Sequence, residues 1–599
     1  MFLLVIGAFT AFFLYKVAEG ALPQLFLVPP QHWQDKINRV IGSAKPVYLK
    51  VGLKRSSFRK RLVGASFHPS FYTNFVENKI ILSPIDIQNR NTFTENLTRR
   101  DPKDPRRCRL YGFFHPYANN GGGGEKVLWQ AVHATLAQNE RNIAIIYTTN
   151  VEASPKDILH KVGLKFDIKE LDSKRVVFVY LRKFSKWIDA DGWKHFTLIG
   201  QLLGSMLLAL EALFELTPDV WVDTMGLPGS YLPVSIIVKI PIIAYVHYPV
   251  IQLDMFNKLK FQKLADLTKL EPSLADLISV LKFGYWTALY YFYTYLGSCV
   301  DITLANGTWT YNHLKAIWSS NGYLGKVVEI LYPPCATETL VKNASFEAPR
   351  ENKLLYIAQF RPEKRHDLVL EEFAEFLKEA RTAKLPLEKI PSIVFLGSCR
   401  TPEDSGTLKK LRTQVTMLKL TEYVEFVVDC SFDEVKEQLK RCKFGLNAMW
   451  NEHFGIGVVE YVSCGVVPIV HASAGPLLDI CTTSEPSLTW ENDFGFFFKS
   501  SRDPDFHGIR VDNNLAFTVR GERALYPPLH QLLNKIYIED PEIASNDSLA
   551  FKRMNGSSLM LEKFSNSIFD KKWMEHLTVA ESLEETFRLE KRGKVEAVY

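Results

Sequence analysis

The sequence lacks most of the short strings that would assign it at sight. Its eight cysteines (Cys108, Cys299, Cys335, Cys399, Cys430, Cys442, Cys464 and Cys481) contain no CxxC pair, which argues against both a zinc ribbon and a disulfide framework. A reducing compartment fits, and the five sequons at Asn96, Asn306, Asn343, Asn546 and Asn555 then read as unused matches. No GxGxxG and no GK[ST] string occurs, which excludes the dinucleotide fingerprint and the Walker loop. Charge of one sign is also scarce. A net +6 over 599 residues suits an anionic ligand or a membrane surface and excludes a concentrated nucleic-acid-binding face. Finally, no basic residue precedes the apolar stretch 1–15, as a cleaved signal peptide would require.

What is present is ordinary globular composition, 47% hydrophobic and 23% charged, in a chain long enough for two or three domains. The apolar start is read as a membrane anchor over 1–30, continuing past Lys16, whose side chain snorkels. A basic juxtamembrane segment, 31–105, follows. Between Gln31 and Leu62 it carries nine Lys or Arg against one acid, Asp35, and the positive-inside bias places the bulk of the chain on the cytosolic side.

From 106 to 335, apolar strand-like runs alternate with helical patterns at 110–114, 142–149, 175–181, 220–224 and 240–247. Such alternation predicts a parallel α/β sheet covered on both faces. The first strand runs into four glycines, Gly121, Gly122, Gly123 and Gly124, ahead of a helix expected to start near Glu125. A glycine run there is either a flexible turn or a place where backbone approaches an anion at a helix start. His247 ends another strand, on the edge where open α/β sheets bind ligands. Residues 197–210 read as a buried domain helix. The charge-free 283–300, crowded with tyrosine, reads as a helix dipping into a membrane surface, with a tyrosine-rich core helix as the alternative.

Residues 336–352 are expected to link the halves, and a second α/β series spans 353–540, with strands at 353–360, 392–397, 424–429, 444–449 and 467–472. After its first strand, Arg361 and Lys364 stand where two cations would meet a diphosphate, unless they are solvated turn residues. The string WNEHFGIGVVE then sets Glu452 and Glu460 eight residues apart around Gly455, Ile456 and Gly457, with Phe454 between. If the glycines open a helix that Gly465 ends at C′, its first amides and dipole suit a phosphate. Glu452 then faces a sugar and Glu460 another hydroxyl of the same ligand. The alternative is a surface loop with two ordinary glutamates. Residues 483–515 and 539–558 look like surface insertions, and 564–590, within a closing segment 560–599, suits a helix that crosses back to the first domain.

The strings FFHPYANNGGGGEKVLW, YVHYP, NGTWTYNHL, YPPC, AQFRPEK and NEHFGIGVVE together resemble the retaining GT-B glycosyltransferases, and within them the GDP-mannose-dependent alpha-1,2-mannosyltransferases of dolichol-linked oligosaccharide assembly. The resemblance covers about 110–479 and the closing helix. It implies two Rossmann-like domains facing across a cleft. It also implies a GDP-mannose donor, a dolichol-diphosphate-linked Man3GlcNAc2 acceptor followed by its Man4 product, and a place on the cytosolic face of the endoplasmic reticulum membrane, with other mannosyltransferases of the pathway as partners. By the same resemblance Arg361 and Lys364 grip the diphosphate, Glu452 holds the mannose and Glu460 the ribose, the Phe454–Gly457 stretch offers amides, His247 approaches the sugar, and the glycine loop lines the cleft. No cofactor and no metal are implied, because the cations replace one and no DxD stands at a strand end.

Two departures mark the chain. Arg361 and Lys364 are three apart where many relatives space the pair by five, and Ser473-Ala474-Gly475-Pro476 replaces two glycines before the proline. The resemblance implies retention of configuration. Departing diphosphate charge is stabilised by cations and amides, and a phosphate oxygen takes the acceptor proton. The rivals are a soluble glucosyltransferase of glycogen-synthase type and a non-catalytic membrane scaffold. The anchor argues against the first, and intact Glu452, Arg361 and Lys364 argue against the second.

Overall fold

The computed structural model describes residues 109–252, 274–503 and 526–590, apart from a few single and paired positions within them, together with 10, 12–14, 16, 17, 48, 49, 80 and 81. The expected anchor and basic segment thus lie largely outside the described residues.

NIAIIYT is apolar between its terminal Asn142 and Thr148 and VVFVY is so throughout, the pattern of strands covered on both faces, and all their residues are buried. Seven strands build the first sheet: β1 (Arg109–Phe114), β2 (Asn142–Thr148), β3 (Val176–Tyr180), β4 (Val220–Asp223), β5 (Ile242–Val246), β6 (Ile302–Ala305) and β7 (Val327–Ile330). All pair in parallel, in the order β3-β2-β1-β4-β5-β6-β7. Helix α1 (Gly123–Gln138) follows β1, while α2 (Thr197–Glu215) and α3 (Leu274–Ser298) lie later in this half.

The second half repeats the plan with β8 (Glu351–Ile357), β9 (Ser392–Gly397), β10 (Val424–Val428), β11 (Cys442–Asn447), β12 (Val467–His471) and β13 (Phe496–Phe498), ordered β10-β9-β8-β11-β12-β13 and again parallel. Helix α4 (Ile456–Ser463) sits between β11 and β12, and α5 (Asn546–Phe564) and α6 (Asn566–Glu590) close the chain. Both sheets reverse direction of growth beside their first strand. Ligands bind at such switch points outside the carboxyl ends of the strands, so the functional loops are those after β1, β4, β8 and β11. The architecture is GT-B, two Rossmann-like halves.

Several elements depart from the sequence reading. Strands β6, β7 and β13, of three or four residues each, were not among the expected runs, since so short a stretch gives periodicity little to separate from loop, although the equally short β4 was among them. β13 lies within the stretch read as an insertion, and its three phenylalanines are wholly buried. The polar 539–558 stretch is largely helix α5, which buries Leu549, Lys552 and Arg553. The linker includes a helix, Thr337–Lys342, and ends on buried Arg350, whose guanidinium donates to the carbonyls of Leu439, Cys442 and Cys464. Helix α1 starts two residues earlier than expected, since the Glu125 carboxylate accepts the Gly122 N–H at 2.7 Å and caps the turn.

Helix α6 does cross back to the first half. Trp573 is fully buried against that half's core and donates from Nε1 to Thr135 Oγ1 at 2.9 Å. Helix α2 is long and apolar enough to span a membrane, yet half of it is inside the protein. Glu211 in its buried face accepts the backbone N–H groups of Arg182, Lys183 and Phe184. Helix α3 divides its apolar side chains: Tyr293 and Leu296 enter the core, while Phe283, Tyr291 and Tyr295 face outward.

Candidate active site

Between the halves lies a crevice of about 590 Å³. The first half supplies Gly121 to Gly124, Lys126, Lys165 and His247; the second supplies Gln359, Lys364, Asn447, Glu452 and Phe454 to Gly457, with Glu460 behind them.

The walls meet closely. A Cβ placed on Gly123 would stand 2.9 Å from Ile456 Cδ1 of the opposite half, and one on Gly124 would stand 3.5 Å from His247 Nε2. The glycine loop thus packs its backbone against Ile456 and His247 with little space to spare. Helix α4 begins at Gly455, whose φ of +107° lies in the left-handed region open chiefly to glycine. No side chain caps it, so its first amides face the crevice. It ends at Gly465 (φ +72°) in a Schellman turn, where Val466 N donates to Tyr461 O and Gly465 N to Val462 O.

Two loops of the second half are locked to one another. The Tyr356 hydroxyl donates to Lys364 O and accepts from Ala448 N at 3.3 Å. Arg365, in the left-handed region at φ +56°, pairs with buried Asp503 at 2.7 Å. On the facing loop, Gly475 N donates to Glu452 O at 2.9 Å. A Cβ on Gly475 would fall 2.2 Å from Phe454 O. The neighbouring Ala474 adopts φ +40°. The position that tolerates no side chain is therefore Gly475, and the alanine sits buried beside the loop.

These constraints bring Lys364 Nζ onto Glu452 Oε2, with Met449 Sδ at 3.1 Å from the ammonium and Asn447 Nδ2 at 3.5 Å from the carboxylate. Burial pushes the Glu452 carboxyl up, but Lys364 outweighs it and holds the group below the usual range, ionised. Glu460 has only Lys126 to offset burial, which raises it. Across the crevice, burial lowers His247. Its Nε2 stands 3.0 Å from Thr224 O, so that nitrogen carries the proton and Nδ1 is left as the acceptor. His115 lies behind it, lowered to about 3 by burial and by His247, with Nδ1 2.9 Å from Thr224 Oγ1. The floor between the halves is aromatic: His453 lies 4.6 Å from Trp309 and stacks on Tyr248 at 5.6 Å and 17°.

Known proteins resemble this chain over its whole length. Residues 108–318 match the family described as "ALG11 mannosyltransferase N-terminus", and 338–503 match "Glycosyl transferases group 1". The chain is 55% identical to the GDP-Man:Man(3)GlcNAc(2)-PP-Dol alpha-1,2-mannosyltransferase of Debaryomyces hansenii, with 100% of both chains aligned. It belongs to the ALG11 mannosyltransferase family. The equivalent protein of Candida albicans is 53% identical over 100% of both chains, and the human one 35% identical over 67% of this chain and 79% of its own.

In this ALG11-family chain every site residue expected from the sequence except Arg361 lines the crevice. Arg361 is half-exposed and its Nε pairs with Asp404 Oδ1 at 3.3 Å. Asp404 stands in the first turn of helix Pro402–Met417, where it also accepts the Thr401 N–H, so a buried carboxylate competes for the guanidinium. Sequence reasoning passed over Lys126, Lys165, Asn447, Tyr248 and His453. Lys126 and His453 adjoin motifs that were singled out, and adjacency was the available signal. For Lys165, whose Cδ lies 3.0 Å from a Cβ built on Gly121, no local signal exists, since helix Pro155–Phe166 brings it there from the next crossover.

Proposed function

We propose that this chain transfers mannose from GDP-mannose, in alpha-1,2 linkage and with retention, to dolichol-diphosphate-linked Man3GlcNAc2 and then to the Man4 product. The observation that carries the reading is the Lys364–Glu452 pair beside the uncapped start of α4, facing the glycine loop across one crevice. The diphosphate lies against the α4 amides and Lys364, with Lys126 and Lys165 on the opposite wall. Arg361 joins by exchanging Asp404 for phosphate. Glu452, kept ionised, accepts hydroxyls of the mannose, and Glu460 accepts those of the ribose.

The bond between C1 of mannose and the diphosphate oxygen breaks as the 2-hydroxyl of the acceptor mannose bonds to C1 on the same face. Its proton passes to a phosphate oxygen of the departing GDP. The cations and amides take up the charge that develops there, without reorganisation. His247, neutral, offers Nδ1 to a sugar hydroxyl. We place the enzyme at the endoplasmic reticulum membrane with both halves cytosolic, supported by the basic run 36–61 and by outward-facing Phe283, Tyr291 and Tyr295 on α3.

Purified protein supplied with a synthetic lipid-linked Man3GlcNAc2 and, in turn, GDP-mannose, GDP-glucose and UDP-sugars tests the reading. Product is expected with GDP-mannose alone. Glu452→Ala is expected to cut turnover by about 100-fold or more while GDP still binds; an unchanged rate removes Glu452 from the reacting centre.

A further inference from the structure

A second cavity, about 680 Å³ in volume, opens in the first half, within the ~300–1,000 Å³ range of small-molecule sites. Tyr248 lines both it and the donor crevice. The loop after β1 also serves both, giving Tyr117 to one and its glycines to the other. The two spaces are thus adjoining rooms with one aromatic ring as their shared wall.

The second room is built rather than incidental. One wall, Met225 to Pro228, is moulded around buried Asp223, whose carboxylate accepts from Met225 N at 2.9 Å, Gly226 N at 3.0 Å, Leu227 N at 2.9 Å and the Tyr231 hydroxyl at 2.7 Å. The facing wall carries Asp189, which accepts from the Tyr117 hydroxyl, and the exposed Asp191 two residues on. Gln201 from α2 is tied at Nε2 to Ile188 O at 3.0 Å, leaving its amide oxygen as an acceptor. Acceptor oxygens on one side and the flat, half-exposed face of Tyr248, held in place by its stack on His453, suit a ligand with many hydroxyl donors and an apolar C–H face. A sugar has both.

We propose that this cavity binds the mannose end of the acceptor oligosaccharide, with Tyr248 as its stacking face and Asp189 and Asp191 as receivers of its hydroxyl hydrogens. The inference rests on the glycosyl-transfer reading of the first crevice and deepens it. A saccharide seated there has its terminal residue at Tyr248, beside the donor sugar. Its lipid end leaves over α2, whose Ile199 and Leu203 are exposed next to cavity-lining Leu198 and Leu202.

The experiment uses the full chain with Asp191→Asn, Tyr248→Ala and Tyr248→Phe, the synthetic lipid-linked Man3GlcNAc2, and lipid-free oligomannose as competitor. Asp191→Asn and Tyr248→Ala are expected to raise acceptor KM by about tenfold, the loss of one good contact, and to weaken the competitor in proportion. GDP affinity should stay unchanged in Asp191→Asn, whose residue lines only the second cavity, and Tyr248→Phe, which keeps the stacking ring, should restore the acceptor KM lost in Tyr248→Ala. Acceptor KM unmoved in both disruptive variants while GDP still binds overturns the proposal. So does a GDP affinity that falls in step with acceptor KM in Asp191→Asn, which would make the cavity part of the donor site. Failure of the unaltered protein to bind GDP at all sinks the donor reading instead.

Discussion

Asp479 of the second half accepts the Thr308 N–H of the first at 3.0 Å, and with it the Thr308 hydroxyl and the Tyr332 hydroxyl at 2.9 Å. The carboxylate is fully buried, and its backbone carbonyl takes Lys563 Nζ at 2.9 Å. One residue therefore ties the segment after β6, the exit of β7 and the closing helix α5. Asp479→Ala leaves three donors without their acceptor and is expected to cost about 2–3 kcal/mol, read by thermal denaturation. Donor KM should rise as well, because both crevice walls depend on this closure.

Asp503 gives the pH dependence a definite sign. Burial pushes its carboxyl up, but His471, the Ser500 N–H and Arg365 outweigh it and hold it at about 2. A carboxylate depressed on folding adds stability above its unfolded value near 4 and loses it as pH falls towards about 2. That contribution is roughly 2 kcal/mol at ~1.4 kcal/mol per pKa unit. Asp503→Asn should lower the urea midpoint at pH 7 and flatten its decline between pH 4 and pH 2; a decline as steep as in the parent protein would count against the assignment.

Lys364 and Arg361 separate what the sequence presents as a pair. Lys364 already lies in the crevice on Glu452, whereas Arg361 must leave Asp404. Lys364→Ala is expected to lower kcat/KM by about 100-fold or more, and Arg361→Ala by less. Steady-state kinetics with varied GDP-mannose decides the order.

Gly475→Ala puts a methyl 2.2 Å from the Phe454 carbonyl oxygen and 2.6 Å from its Cα. Backbone cannot yield as a side-chain tip would, so the Glu452–Phe454 loop must move. Overpacking of this kind costs about 1–3 kcal/mol. Activity should fall further than stability, and Gly123→Ala, which meets only the flexible end of Ile456, should be far milder.

Much of this was readable in one dimension. Ten of the thirteen strands of the two sheets announced themselves as apolar runs, because a strand covered on both faces has no polar alternation to conceal it. The α4 helix declared both ends through Gly455 and Gly465, whose positive φ values are backbone requirements a sequence can display. The motif residues were likewise visible by type and position: Glu452 and Glu460 around a helix start, His247 at a strand end.

Which residues share space was not readable, and Arg361 shows why. Its motif is intact, but Asp404, forty-three positions along, holds its guanidinium, and no local string encodes that partner. Lys165 enters the crevice from a different crossover, Tyr248 divides two cavities, and α6 returns to the first half through Trp573. Local periodicity and the glycine-demanding turns were set by the sequence alone, since steric rules on backbone and burial act residue by residue. Charge pairing, cavity walls and closure of the halves were decided by the tertiary fold, since those energies depend on distances between groups tens to hundreds of positions apart.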